Sequence, residues 1–324
     1  MQGFSIHTLG SGGVIANYRC TAACRHCLYG CSPRWPDEYI GEAAARRVCQ
    51  ALAQRGCTSV HIGGGEPFLH FEELLMLVRE IGRAGMELEY IETNASWCTD
   101  DGAVREKLVR LLDAGAACVM ASTDPFHSEF VPLERPLRLV EQCRRAGMDY
   151  FVWKQGFIPR LAGLDPAAAH SREALAKHLG RDYIARTARE YGLRFHGRAL
   201  NIEREHARVF ETVILLRDDR PCRELAGVNH YHADLYGRFV PPGCTGIGIA
   251  LEDLEQITPE KYPVACALYH GGISALYAYA KQRGYEPQPA YTGRCALCYD
   301  MRRHLAAAAP TADLSPADFY RQDY

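Results

Sequence analysis

The sequence predicts an α/β protein in which helices and parallel strands alternate. From residue 40 to residue 200 one unit repeats, an amphipathic helical stretch followed by a glycine and an apolar strand. A glycine just past a helix end supplies the left-handed cap. Alternating helices and strands imply a parallel sheet covered by helices. The junction glycines are Gly56, Gly85, Gly115, Gly147 and Gly192.

The spacing of these glycines sets the number of strands. The first three intervals are 29, 30 and 32 residues, which fit one βα unit each, and the last, 45 residues, leaves room for an inserted loop over residues 157–169. Residues 13–18 predict the first strand, and the strands after the five glycines bring the total to six parallel strands. Six units are fewer than the eight of a closed TIM barrel.

The repeat stops after residue 200, so we expect a first domain of residues 1–200 and a second domain of residues 201–324. Alternating residues around Gly237 predict a β-hairpin. The C-terminal tail is expected to dock through Phe319 and Tyr320.

Bulk properties exclude several classes of protein. The net charge of −2 and pI of about 6.7 give no basic surface for nucleic acid. No apolar run approaches the ~18 residues of a membrane span, and the N-terminus lacks the pattern of a signal peptide. We therefore expect a cytoplasmic chain that binds neither nucleic acid nor membrane. Since that compartment keeps thiols reduced, clusters among the 14 cysteines indicate metal ligands.

Cys20, Cys24 and Cys27 form a C-x3-C-x2-C run. Three thiolates on one loop can hold three irons of a cubane iron–sulfur cluster and leave the fourth iron open. Electron-transfer cubanes have four cysteine ligands, whereas an open position marks a catalytic metal site. Cys31 lies outside this spacing and is not taken as a ligand. A zinc loop or buried structural thiols are the alternatives.

A glycine-rich turn follows the second predicted strand, in the order Gly63-Gly64-Gly65-Glu66-Pro67. Glycines permit a tight turn and a close approach to a ligand. Together with the cysteine triad, about 40 residues earlier, this turn resembles the radical S-adenosylmethionine (radical SAM) enzymes. The resemblance implies a partial (β/α)6 TIM-type barrel and a 4Fe-4S cluster whose open iron binds S-adenosylmethionine. It also implies that Gly64, Gly65 and Glu66 hold the methionine amino group, and that an external one-electron reductant such as flavodoxin or ferredoxin serves the enzyme.

The carboxyl ends of barrel strands carry active sites, and polar residues follow each predicted strand. The resemblance implies that Glu92, Asn94 or Ser96, and Ser122 help hold the ribose or carboxylate of the cofactor. It further implies that His26 packs at the adenine, and that Arg198 pairs with the carboxylate, as guanidinium groups do. The alternative for the Ser and Asn residues is helix N-capping.

If the enzyme oxidises its substrate, a base must take a proton from the substrate radical. A histidine or a desolvated lysine suits that task. His127, Lys154 and His196 each follow an apolar strand at its carboxyl end, so all three are expected to face the cavity at the rim. The alternative for His127 is that it only caps or packs beside Phe126.

A second cysteine set lies after residue 200, namely Cys222, Cys244, Cys295 and Cys298. It resembles the small α+β "twitch" auxiliary domain, the shortened relative of the SPASM domain, which implies a second, fully ligated 4Fe-4S cluster. The alternative is a structural zinc site. His230 and His232 are spare donors that are expected to pack or hydrogen-bond.

The predicted function is oxidation of a substrate carbon after hydrogen-atom abstraction, with the auxiliary cluster as electron acceptor. The substrate is a small molecule or a peptide, and the alternative function is maturation of a peptide or protein by crosslinking or side-chain oxidation. Because the first strand begins near residue 13, we expect no leader-binding domain before it, which weighs against a self-contained peptide maturase. A non-catalytic, metal-stabilised binding module is the alternative from another class.

Overall fold

The structure, a computed structural model, describes residues 2–322. Its first part alternates strands and helices as predicted. The elements are β1 (Gly12–Asn17), α1 (Glu42–Gln54), β2 (Ser59–Gly64), α2 (Phe71–Arg83), β3 (Glu87–Thr93), α3 (Asp101–Ala114), β4 (Cys118–Ser122), α4 (Glu134–Ala146) and β5 (Asp149–Trp153).

The remaining elements are shorter, apart from two long helices. They are α5 (Ile158–Leu161), α6 (Arg172–Leu179), α7 (Tyr183–Tyr191), α8 (Ala199–His206), β6 (Phe210–Glu211), α9 (Thr212–Leu215), β7 (Tyr231–Asp234), β8 (Arg238–Val240), β9 (Ile249–Ala250), α10 (Pro263–Lys281), β10 (Ala290–Tyr291), α11 (Arg294–Ala308) and α12 (Ala317–Arg321).

Local signals explain where the helices begin and end. The Asp100 carboxylate accepts a hydrogen bond from the Ala103 N–H at 2.8 Å and caps the start of α3. Gly115 and Gly147 follow α3 and α4 with φ of +106° and +69°, so these glycines form the left-handed caps that the sequence predicts. Each cap turns the chain directly into the next strand.

The main sheet has eight strands in the order β5-β4-β3-β2-β1-β7-β8-β9. Neighbouring strands from β1 to β5 pair in parallel, and β7 pairs in parallel with β1 on its other side. Strands β8 and β9 continue the sheet antiparallel. The mostly parallel sheet confirms the α/β class, and it is consistent with an open partial barrel.

The predicted sixth strand is wrong in its position. Residues 193–196 form no strand, and β7 supplies the sixth parallel strand at the opposite side of the sheet. The backbone around Gly197 is used elsewhere, because the Arg198 N–H donates to the Cys27 carbonyl at 3.1 Å. A Cβ on Gly197 would lie 2.1 Å from the Leu28 carbonyl oxygen. This segment therefore packs against the cysteine loop instead of extending the sheet beyond β5.

The predicted hairpin around Gly237 is confirmed by the antiparallel pair β7 and β8. Since β7 pairs with β1, one sheet runs through both of the predicted domains, residues 1–200 and residues 201–324. Phe319 and Tyr320 are buried, as expected for a docked tail. Among residues 2–322, no helix combines the length and apolar character needed to cross a bilayer.

Candidate functional site

Two loops cross at the carboxyl ends of β1 and β2. The Gly65 N–H donates to the Asn17 carbonyl at 2.8 Å, and the Glu66 N–H donates to the Arg19 carbonyl at 3.0 Å. A Cβ on Gly65 would lie 1.9 Å from the Arg19 carbonyl oxygen, and Gly64 has φ of +120°. Only glycine fits so close an approach of two backbones. The crossing brings the glycine-rich turn against the chain that enters the cysteine triad.

The triad loop is fastened by hydrogen bonds to its carbonyl groups and sulfurs. The Arg198 guanidinium donates to the carbonyls of Cys24, at 2.8 Å, and of Cys31. The Ala22 N–H and the Asn94 amide each lie 3.4 Å from Cys20 Sγ and donate to it. These contacts fix the backbone on which the three sulfurs are carried.

The thiols of Cys27 and Cys31 are hydrogen-bonded to each other. That bond is the main cause that lowers the pKa of Cys27 to about 5, while burial raises the pKa of Cys31. A metal ligand must be the thiolate, so this loop favours the ligating form of Cys27.

A cavity of about 400 Å³ lies beside the triad. Ten of the predicted site residues line it, and they come from four separate segments of the chain. They are Cys20, Cys24, His26, Cys27, Gly64, Gly65, Glu92, Asn94, Ser122 and His127.

Glu66 lies beneath this cavity and does not line it. Its carboxylate accepts hydrogen bonds from the Thr93 hydroxyl at 2.8 Å, the Asn94 N–H at 2.9 Å and the Phe68 N–H at 3.2 Å. Burial raises the pKa of Glu66 to about 7, against the effect of these donors. In the structure this carboxylate joins β2 to the end of β3, and its contact with an ammonium group stays a prediction.

Ser96 and Arg198 also serve the loops and do not line the cavity. The Ser96 hydroxyl accepts from the Thr21 hydroxyl at 2.8 Å, which ties the end of β3 to the triad loop. Arg198 is buried and donates to the triad carbonyls described above. Neither side chain lines the cavity, so the contact of Ser96 with the ribose or carboxylate and that of Arg198 with the carboxylate stay predictions.

The three candidates for the base are separated by the structure. His127 lines the cavity, and its Nδ1 lies 2.6 Å from Asp124 Oδ2. Lys154 follows β5 with φ of +54°, is exposed, and places Nζ 5.5 Å from the centre of the Trp153 ring. Trp153 lines the cavity in its place.

His196 lies on the side of the second cysteine set. Burial lowers its pKa to about 4, and the charge of Arg302 acts in the same direction. His196 is not among the residues that line the cavity. The expectation that Lys154 and His196 face it is therefore corrected.

His26, Asp124 and His127 form a compact polar cluster against Cys24. Their ligating atoms lie within 4.8 Å of one another. The ring of His26 stacks on Phe126 at 4.8 Å and contacts His127 edge-on at 4.9 Å. Asp124 raises the pKa of His127 against the effect of burial, and a hydrogen bond to Cys24 acts in the same direction. The His127 ring thus contacts Asp124, His26 and Cys24.

The sequence analysis missed a histidine pair in the cavity. His61 from β2 and His232 from β7 place their Nε2 atoms 3.1 Å apart, and the Tyr29 hydroxyl lies 2.9 Å from Nδ1 of His232. All three side chains line the cavity. The only signal in the sequence was a histidine within each apolar strand, and their meeting depends on β7 pairing with β1.

Glu92 is the acidic group of the cavity. Burial raises its pKa to about 7, and the neighbouring thiol of Cys27 acts in the same direction. Its Oε1 lies 3.9 Å from His61 Nε2. A carboxyl group and a histidine that both titrate outside their usual ranges thus face the same space, as is common in active sites.

The second cysteine set comes together from three segments. Cys222 precedes a short 3-10 turn, Cys244 follows β8, and Cys295 and Cys298 lie in the first turns of α11. Burial raises the pKa of Cys222 and of Cys295 to about 11 each, and the thiolate of Cys298 adds to both shifts. Cys244 is affected by the other three thiols, so the four side chains are neighbours.

Residues 14–158 match the family model of the Radical SAM superfamily, a little under half of the chain. No curated protein sequence matches the chain. Among solved structures, native anSMEcpe with bound AdoMet is 12% identical, with a TM-score of 0.43 over 91% of this chain and 96% of that chain.

Two further structures are similar at a comparable level. HydG, a maturase of the FeFe-hydrogenase, is 15% identical with a TM-score of 0.35, over 45% of this chain and 36% of that chain. BtrN in complex with AdoMet and 2-DOIA is 15% identical with a TM-score of 0.35, over 87% of this chain and 91% of that chain. At these values the solved structures contribute nothing to the assignment of an activity.

Proposed function

We propose that this chain, whose residues 14–158 form a domain of the Radical SAM superfamily, is an enzyme that cleaves S-adenosylmethionine reductively and oxidises a carbon atom of its substrate. One observation is the main support for this function. The cysteine triad opens onto the same cavity as Gly64, Gly65 and a group of ionisable side chains. The cavity, about 400 Å³, has the size of small-molecule sites.

The triad fits a cubane cluster better than a zinc ion. A zinc tetrahedron with Zn–S bonds of ~2.3 Å holds its sulfurs about 3.8 Å apart. Within residues 2–322, His26, Asp124 and His127 are the only group of three possible ligands that lie within 4.8 Å of one another. The three triad cysteines do not belong to that group, and the N–H donors at Cys20 suit a cluster thiolate.

We extend the proposal to a second 4Fe-4S cluster on Cys222, Cys244, Cys295 and Cys298, whose side chains are neighbours. Four cysteines can ligate every iron of such a cluster, which suits electron transfer rather than substrate binding. Cys20, Cys24 and Cys27 would hold a first cluster, which would supply the electron for reductive cleavage of S-adenosylmethionine, and the second set would hold a cluster that would accept the electron of substrate oxidation. The substrate thereby loses a hydrogen atom, a proton and an electron, a two-electron oxidation.

The residues of the chain then have distinct tasks. The backbone of Gly64 and Gly65 borders the cavity where the cofactor's methionine end would lie, and His26 lines the same space. The aromatic side chains of Tyr90, Trp153 and Tyr191 also line the cavity, and we propose that they face the substrate.

The proton of the substrate radical needs an acceptor. His127 faces the cavity, but its ring already contacts Asp124 and Cys24. His61 and His232 face the cavity as well, and burial lowers the pKa of each, so both are neutral acceptors at pH 7. We propose the histidine pair as the second candidate for the base, beside His127.

The substrate class follows from the cavity. Its size favours a small molecule, and a peptide side chain is the alternative. The electron for cofactor cleavage would come from an external one-electron reductant such as flavodoxin or ferredoxin.

The test is anaerobic reconstitution with iron and sulfide, followed by iron analysis and detection of 5′-deoxyadenosine after reduction. We expect about eight irons per chain, about four in each cubane. Replacing Cys20, Cys24 and Cys27 by Ala removes about half of the iron and all 5′-deoxyadenosine. Cys118→Ala is the matched control, because this half-buried thiol lies in β4, outside both sets. Cleavage that persists in the triple variant contradicts the proposal.

The second set is tested by replacing Cys222, Cys244, Cys295 and Cys298 together. We expect loss of the other half of the iron, while 5′-deoxyadenosine still forms upon reduction. Stoichiometric zinc in place of iron in the anaerobically purified protein would assign this set to a structural site and contradict the electron-acceptor role.

A further inference from the structure

One face of α11 carries more than the cysteine pair. Cys295, Cys298 and Arg302 stand at positions i, i+3 and i+7 of this helix. Residues at these intervals lie on the same side of an α-helix. The helix therefore directs the Arg302 side chain to the same place as the two thiols.

Arg302 is buried, with 1% of its surface exposed. Its Nη1 donates to the Thr245 carbonyl and to the Tyr320 hydroxyl, both at 2.8 Å. Its Nε has no hydrogen-bond partner among the described residues. Thr245 directly follows Cys244, so the guanidinium reaches from the cysteine pair on α11 to the loop that carries a third cysteine.

The charge of Arg302 needs a counter-charge. A guanidinium group stays protonated in proteins, and an uncompensated buried charge is strongly destabilising. Tyr320, Cys298 and Cys244 all lie close enough to interact electrostatically with Arg302, and Cys298 is also hydrogen-bonded to it. No carboxylate forms an ion pair with Arg302 within residues 2–322, since the nearby Asp300 pairs with Arg303. As ligands of a cluster the four cysteines would be thiolates, and these would supply the negative charge.

We infer that Arg302 is a positioning residue that raises the reduction potential of the iron–sulfur cluster held by Cys222, Cys244, Cys295 and Cys298. The inference rests on the proposed function, because it requires that the set binds a cluster. Net charge and hydrogen bonds to the sulfurs are among the factors that set such potentials. A fixed cation stabilises the reduced form, which carries one more negative charge. Arg302 thereby makes the cluster a better acceptor for the electron of substrate oxidation.

The test is an EPR-monitored redox titration of the full-length, reconstituted protein. The signal of the second cluster is the one that S-adenosylmethionine does not alter, because only the triad cluster has an open iron. We expect Arg302→Met to shift the midpoint potential of this signal to a more negative value. Arg302→Lys keeps the charge and stays near the wild-type potential. Arg303→Met is the matched control, since Arg303 is exposed and pairs with Asp300.

A second variant separates charge from structure. Tyr320→Phe removes a hydrogen-bond acceptor of Arg302 but leaves its charge, so the potential stays closer to the wild type than in Arg302→Met. An iron-replete Arg302→Met protein with the wild-type potential overturns the inference. So does an equal shift in Arg302→Lys. If Arg302→Met holds no second cluster, retention of the cluster in Arg302→Lys supports the need for a charge, and loss in both variants contradicts it.

Different results would contradict the second cluster and the role of Arg302. A wild-type protein with a single, cofactor-sensitive signal and about four irons would contradict the second cluster itself. A wild-type protein with two signals and an unshifted Arg302→Met variant would contradict only the role of Arg302.

Discussion

His61 and His232 meet across β1, with their Nε2 atoms 3.1 Å apart. The two histidines come from strands on either side of β1, where Gly13 pairs with both residues. A Cβ on Gly13 would lie 2.4 Å from His61 Nε2 and 2.7 Å from His232 Nε2. The missing side chain of Gly13 is what allows the two rings to meet inside the cavity.

Gly13→Ala is expected to displace the histidine pair and to destabilise the protein. Overpacking of this kind costs about 1–3 kcal/mol, which lowers the midpoint of thermal unfolding. Gly82→Ala is the control, because a Cβ at Gly82 in α2 meets nothing within 4 Å and alanine favours a helix. An unfolding midpoint of Gly13→Ala at or above that of the wild type contradicts the packing described here.

His61 is expected to make the protein less stable in acid. Burial lowers its pKa to about 4, while the unfolded chain has the ordinary value of about 6.5. The unfolded state therefore takes up a proton that the folded state refuses, and stability present above pH 6.5 is lost as the pH falls toward 4. At pH 5.5 the loss is about 1.4 kcal/mol.

The measurement is the unfolding midpoint of anaerobic protein at pH 7 and at pH 5.5. His61→Gln should lose less of its stability between these two values than the wild type. His7→Gln, at an exposed histidine, should behave as the wild type does. Glu66 and Glu92 titrate in all three proteins, so their effect cancels in the comparison. Equal losses in His61→Gln and in the wild type would show that His61 is not held neutral.

Replacing Glu66 is expected to destabilise the folded protein rather than to weaken cofactor binding alone. In Glu66→Gln the amide nitrogen replaces one acceptor, so one of three buried donors is left without a partner. An unsatisfied buried group costs about 1–3 kcal/mol. Glu87→Gln, at the exposed start of β3, should change stability by less than ~0.5 kcal/mol. A wild-type unfolding midpoint together with weaker binding of S-adenosylmethionine, measured by equilibrium dialysis, would assign the carboxylate to the cofactor instead.

Asn94 and Lys154 are expected to differ in their effect on cofactor cleavage. The Asn94 amide donates to Cys20 Sγ at 3.4 Å and to the Thr21 hydroxyl at 3.1 Å, so Asn94→Ala removes support from a cluster ligand. Loss of such support lowers activity about 10–100-fold. Lys154→Met changes an exposed side chain outside the cavity, and the rate of 5′-deoxyadenosine formation should stay within about twofold of the wild type. A large loss of 5′-deoxyadenosine formation in Lys154→Met would show that Lys154 takes part in the site.

Much of the fold could be predicted because its signals are local. The glycines at 115 and 147 end helices through their own left-handed conformation, so the helix–glycine–strand repeat is visible without any knowledge of packing. The triad and the glycine-rich turn are likewise short segments. Their chemistry depends on residue type and spacing, and ten predicted residues line one cavity as a result.

The sequence by itself determined the α/β class, the parallel strands β1 to β5 and the loops that carry the triad and the glycines. The tertiary structure decided that β7 pairs with β1, that Glu66 turns beneath the cavity, and that Arg302 is buried beside the second cysteine set. The physical reason is the range of the interactions. Caps and turns form between residues a few positions apart, whereas the meeting of His61 with His232 depends on strand pairing between segments 171 positions apart, which no local pattern encodes.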